Sequence, residues 1–246
     1  MKILEHHYVQ VAAIESHCKD VRFLRYTAHQ QPNEKTCMSA STPIARNKTA
    51  ALVRIVDSVP KGYHRYTHGT VAASKAEALA KKFHALYGIG CSPAQRLTRK
   101  GKGLANSVLV MYWPLAAEKV EWLLLATDGE GLEQESLRDV GDKPYLKWLG
   151  YELVRQPSRG RAAWTWRRSK QEMEELHALI ATQANRKNTA AITETLERIA
   201  RQPGFHGVRT QSWALCQAAL QRGYDGPLPH LYFVQKISHG ERLVLE

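Results

Sequence analysis

Apolar positions along this chain follow two different periods, and the change between them divides it. Residues 107–113 and 120–127 are apolar at nearly every central position on either side of a 114–119 turn, as strands buried on both faces are. Beyond Ser169 the spacing becomes helical. Met173, Leu176, Leu179 and Ile180 recur on one face, then Ile192, Leu196 and Ile199, then Trp213, Leu215, Ala219 and Leu220.

The remaining segments fill in around these. Tyr8, Val9, Val11 and Ile14 predict a strand over 6–14, and 21–26 reads as a second short strand or a helical turn. Pro32, Asn33, Ser39, Ser41, Thr42 and Pro43 make 30–47 a loop carrying Arg46, leading through Lys48 to the apolar stretch 50–56. Ser74 and Glu77 have capping-box spacing and start a helix that Gly88 ends. Residues 88–103 read as a long basic loop with four glycines at 88, 90, 101 and 103. A short helix is predicted over 132–140, and 145–154 with 162–168 form a strand or helix–strand pair reversed by 156–160. The helices stop at 223–229, and 231–237 with 242–245 predict a terminal hairpin around 238–241. The fold class is therefore α+β: a ferredoxin-like or RRM-like mixed sheet portion over 1–168, then a helical subdomain with a C-terminal β-hairpin over 169–246.

Charge changes this picture. The 246 residues carry a formal net charge of +12, and the excess is segregated. Between 78 and 117 stand Lys81, Lys82, Arg96, Arg99, Lys100 and Lys102 without an acid, and from 153 to 169 stand Arg155, Arg159, Arg161, Arg167 and Arg168, again without one. Acid-free basic blocks create a field that attracts polyanions and releases their counterions, so these eleven residues are the candidate RNA-binding set. Glycines beside the 96–102 cations suit an irregular single-stranded backbone. In the second block Trp164 and Trp166 share a strand face with Arg168, a core placement for the indoles.

Catalytic signatures are sparse. No nucleotide-binding glycine fingerprint occurs, and the scattered Cys18, Cys37, Cys91 and Cys216 match neither a zinc site nor a disulfide frame. The acids Asp128, Glu130, Glu133 and Glu135 fit no calcium loop, and the histidines lack a paired metal motif. No metal and no cofactor are expected. Residues 1–20 have no unbroken apolar stretch of signal-peptide type and no run is long enough to span a bilayer, which predicts a cytoplasmic protein without membrane contact.

The strand-first mixed domain, long basic glycine loop, helical insertion and short C-terminal basic hairpin together resemble the CRISPR repeat-RNA processing endoribonucleases, most of all the maturation subunit of type IV systems. The resemblance implies metal-independent cleavage of a structured repeat RNA by its own 2′-hydroxyl, retention of the product crRNA, and association with other subunits of a ribonucleoprotein. Such chemistry needs a proton acceptor, a proton donor and cations around the developing charge. By this analogy the catalytic candidates are Arg22, Arg25, His29, Arg46, His239 and Arg242. Two other readings compete: a non-catalytic DNA-binding replication or mobilisation factor of a plasmid or phage, reading bases from a 207–222 helix with Arg209, Gln211, Gln217, Gln221 and Arg222, and a purely structural ribonucleoprotein subunit.

Overall fold

A computed structural model describes residues 40–157, 162–233 and 240–245, which belong to one compact unit, Met38–Glu246. The expected strands at 6–14 and 21–26 lie outside the described residues.

The fold is α+β. Strands β1 (Ser41–Ala45), β2 (Arg65–Ala72), β3 (Ser107–Tyr112), β4 (Lys119–Ala126), β5 (Arg138–Asp139) and β9 (Arg242–Val244) make a six-stranded mixed sheet in the order β5-β2-β4-β3-β1-β9. Only β1 and β3 run parallel, with Ile44 opposite Met111. β3 and β4 form the hairpin that their apolar runs predicted, Leu109 facing Leu124. The alternation then sorts side chains onto two faces. Val108, Val110, Leu123 and Leu125 point to α1 (Lys48–Ser58), whereas Leu109, Met111, Val120 and Leu124 point to α2 (Ala73–Tyr87). Both faces are covered, which is why these strands lack polar alternation.

A second, three-stranded sheet of β6 (Lys147–Trp148), β7 (Tyr151–Pro157) and β8 (Ala162–Arg168) closes over the outer side of α1. Trp166 enters that core fully buried and donates its indole N–H to the Leu52 carbonyl at 3.0 Å. Helices α4 (Lys170–Asn185), α5 (Thr189–Ala200) and α6 (His206–Gln221) form the helical portion around Ile180, Leu196, Ile199 and Leu215. α6 also packs along β8, so it is the joint between helices and sheet.

Four local expectations are corrected. The 41–45 part of the expected loop is β1, because its backbone pairs with β3 on one side and β9 on the other, partners distant in sequence. The 73–87 helix begins after Ala72 with no side-chain cap, so Ser74 and Glu77 are not a capping box, although Gly88 ends it in the left-handed region at φ +65°. The basic loop contains helix α3 (Pro93–Gly101), and the capping box sits there: Gln95 N–H donates to Ser92 Oγ at 3.3 Å, and Ser92 N–H donates to Gln95 Oε1 at 2.7 Å. The 132–140 segment is not a helix; it leads into the short strand β5, which pairs with β2. At the C-terminus, Arg242–Val244 is a strand laid antiparallel on β1, with Arg242 opposite Pro43; residues 234–239 of the expected hairpin lie outside the described residues.

Candidate nucleic-acid interface

The β1–β9 edge gathers three arginines from three elements. Leu243 and Leu245 turn toward the α2 face, so the alternation places Arg242 on the α1 face beside Ser41 and Pro43. There its guanidinium donates to Ser41 Oγ at 2.8 Å and to the Ser41 carbonyl at 3.1 Å. Arg54, on the β1 side of α1, donates to the Pro43 carbonyl at 3.2 Å. Arg96 arrives from α3, held by the Cys91 carbonyl at 3.1 Å and by the Tyr63 hydroxyl at 3.2 Å.

Their charges are mutually unfavourable. Burial first, then the fields of Arg242 and Arg96, push the Arg54 guanidinium down from its ordinary range to about 9. A guanidinium does not give up its proton in a protein, so this tension marks a place that rewards an anion. Among the described residues no carboxylate lies within ion-pair distance of Arg54, Arg96 or Arg242. What the edge offers is fixed cationic forks, a serine hydroxyl and a tyrosine hydroxyl, the donors that bind phosphate oxygens.

The predicted catalytic set divides. Arg22, Arg25, His29 and His239 lie outside the described residues. Arg46 and Arg242 both reach the β1–β9 edge, but Arg46 is paired: its Nε donates to Glu241 at 2.8 Å, its Nη2 meets the same carboxylate, and its Nη1 donates to the Trp113 carbonyl at 2.8 Å. The Arg46 partner holds the Glu241 carboxyl below its usual range. Arg242 keeps the freer charge.

The predicted RNA-binding set divides too. Lys82, Lys100, Lys102 and Arg155 are exposed, and Lys81 is half-buried with an ion pair to Glu77 at 3.3 Å. Arg99 turns inward to the Ala105 carbonyl at 2.9 Å and secures the α3–β3 turn. Arg167 pairs with Glu152 at 3.0 Å. Arg159 and Arg161 lie outside the described residues. Arg168 is a correction: it is fully buried, donating to Gln202, Val208 and Ser212, so no polyanion reaches it. It shares a strand face with the buried Trp166, although Trp164 on that face stays half-buried, so the burial of Arg168 comes from α6 packing over the end of β8.

Sequence reading missed Arg54, which stands inside the apolar stretch 50–56, as well as Ser41 and Tyr63. Only the helical offset of Arg54 from its apolar neighbours hinted that it lies on a different stripe of α1. At the opposite edge of the sheet His64 lies 3.3 Å from Asp128 and 3.7 Å from Asp139, beside the β2–β5 pairing. The described residues contain no group of three such side chains arranged to hold a metal ion.

The rival DNA-reading helix is largely occupied. Gln211 bonds the backbone of Arg168, Arg209 donates through Nε to the Leu231 carbonyl at 3.2 Å and Arg222 donates to the Ala218 carbonyl at 3.0 Å, so three of its five expected base readers already have protein partners. No helix among the described residues is long and apolar enough to cross a membrane. Comparison of the chain with protein-family models, with curated proteins and with solved structures finds no match.

Proposed function

We propose that this chain is an RNA-binding protein that seats a phosphodiester at the β1–β9 edge and cleaves a structured, CRISPR-type repeat RNA once without metal. The observation that carries the reading is the convergence of Arg54, Arg96 and Arg242 with no carboxylate among their described partners. In such a site the 2′-oxygen forms a bond to phosphorus as the 5′-oxygen leaves, giving a cyclic phosphate and a free 5′-hydroxyl. The arginines supply charge where the pentacoordinate phosphate becomes more negative. By the resemblance, His29 and His239 are the candidates to take the 2′-hydroxyl proton and to return a proton to the leaving 5′-oxygen. The exposed Lys82, Lys100, Lys102 and Arg155 extend the cationic surface along the RNA. Action in the cytoplasm, within a ribonucleoprotein of several subunits, belongs to the same reading.

The test is to recover the chain from cells, sequence what it carries, and assay that RNA in EDTA with and without a 2′-deoxy substitution before the cut. Uniform RNA ends, cleavage in EDTA and no cleavage of the deoxy substrate support the reading. Strict magnesium dependence, or cutting of the deoxy substrate, overturns the mechanism. Bound duplex DNA with no RNA overturns the function in favour of a replication factor.

A further inference from the structure

Away from the β1–β9 edge, the chain from Pro229 to Phe233 runs back across the start of α6. Gly204 makes that approach feasible, because a Cβ there would fall 2.0 Å from the Tyr232 carbonyl oxygen. Arg209 fastens the segment twice, donating to the Leu231 carbonyl at 3.2 Å and lying 3.4 Å from the centroid of the Phe233 ring. The His230 and Tyr232 rings meet edge to face at 4.6 Å. Between this segment and α6 lies a groove of about 440 Å³ lined by His206, Arg209, Thr210, Trp213, Pro229 and His230, among others.

Two features of the groove point to one kind of occupant. Trp213, which lines it, is 52% exposed where a core would hide it, and Tyr232 and Phe233 on the crossing segment beside it are 65% and 69% exposed. The groove lining contains no acid, and its polar groups are an arginine, two histidines and a threonine. Exposed rings beside cationic side chains, in a protein of net charge +12, match stacked bases followed by phosphates and mismatch a basic or purely apolar partner. A base pair inside a duplex has no free face to stack, so the occupant is single-stranded.

We propose that the α6 groove binds unpaired RNA, stacking a base on Trp213 while His206, His230 and the terminal nitrogens of Arg209, whose Nε alone holds the Leu231 carbonyl, face the backbone. The inference rests on the RNA-binding reading above but not on cleavage, and it names a second contact for a substrate that has both paired and unpaired parts. His206 is held by Gln156 at 2.8 Å, which anchors this end of the groove on β7.

Dodecauridylate, which does not pair with itself, is the probe, with a fully paired RNA hairpin of similar length as the control. Binding is read by tryptophan fluorescence quenching and by anisotropy. Trp213→Ala is expected to weaken dodecauridylate binding about tenfold to 100-fold, the range for one lost stacked base, and to remove part of the quench. Hairpin affinity should change less than about twofold, since its phosphates bind elsewhere. Trp213→Phe keeps a ring and should recover most of the loss. An unchanged urea midpoint shows that the exposed position has not damaged the fold. Equal weakening for both probes, or none for either, overturns the proposal. So does concentration-dependent self-association that Trp213→Ala abolishes without touching RNA binding, because the groove would then seat a second copy. A chain that fails to cut repeat RNA but binds dodecauridylate through Trp213 defeats the cleavage reading alone.

Discussion

The side-chain amide of Gln211 closes on the backbone of Arg168, accepting its N–H at 2.7 Å and donating to its carbonyl at 3.1 Å. This pair of bonds continues the exposed edge of β8 onto α6, as a neighbouring strand would. Beneath it the Arg168 guanidinium donates to Gln202 at 2.7 Å, Val208 at 3.1 Å and Ser212 at 2.9 Å, and lies 3.8 Å from Glu172. Burial lowers the Arg168 pKa from its ordinary value and raises that of Glu172.

Arg168→Ala should therefore destabilise the protein by about 3 kcal/mol, because it strands several buried acceptors and removes the partner of the half-buried Glu172 carboxylate. Gln211→Ala should cost about 1–2 kcal/mol. Arg155→Ala, at an exposed position of the neighbouring strand, should stay within about 0.5 kcal/mol. Urea unfolding of the three variants decides whether Arg168 is a structural residue or a surface cation.

Ser92→Ala should cost about 1 kcal/mol, since it removes one half of a reciprocal cap on a helix that buries none of its own residues. Amide exchange over 93–101 should quicken more than exchange in β3. RNA affinity should fall as well, because α3 carries Arg96 to the β1–β9 edge. An unaltered exchange rate would mean that the helix is held by Arg96 and Arg99 alone.

Salt dependence separates the arginines. Arg54→Gln and Arg242→Gln should each reduce the slope of log affinity against log salt by about 0.7–0.9 if each neutralises a phosphate. Arg46→Gln should leave it unchanged, as Glu241 already balances that charge. Arg242→Ala should slow single-turnover cleavage far more than it weakens binding, because only interactions strengthened in the transition state accelerate chemistry. Equal saturating rates for variant and wild type would remove Arg242 from the chemistry.

Alkaline stability should report Tyr151. Burial pushes its hydroxyl up to about 12, whereas in the unfolded chain it ionises near 10. The unfolded state thus holds fewer protons across that window, so its share of stability is complete below about pH 10 and declines to about pH 12 at up to ~1.4 kcal/mol per pH unit. Tyr151→Phe should flatten the fall in urea midpoint over this range; an identical pH profile would show that other groups cause it.

Some of this molecule is written locally. The paired strands of β3 and β4, the three helices after Ser169 and the end of α2 at Gly88 follow from apolar period and turn chemistry, both of which act over a few residues. The cap of α3 was equally local, in Ser92, Pro93 and Gln95, but the glycines and cations around it read more strongly as a loop. Segregated charge was legible as well, since it depends only on residue types along the chain.

The amino-acid order by itself determined the α+β class, the strand and helix periods and the cationic surplus, because each is a property of neighbours along the chain. Tertiary structure alone decided which cations remain available. Ser41–Ala45 became a strand only by pairing with β3 and β9, and that pairing set Arg242 opposite Pro43 within reach of Arg54. It also buried Arg168, paired Arg46 with Glu241 and turned Arg99 onto the Ala105 carbonyl. A residue's charge is fixed by its type, but what that charge can bind depends on solvent access and on which partners the fold has already supplied, and both arise from contacts between residues far apart in sequence.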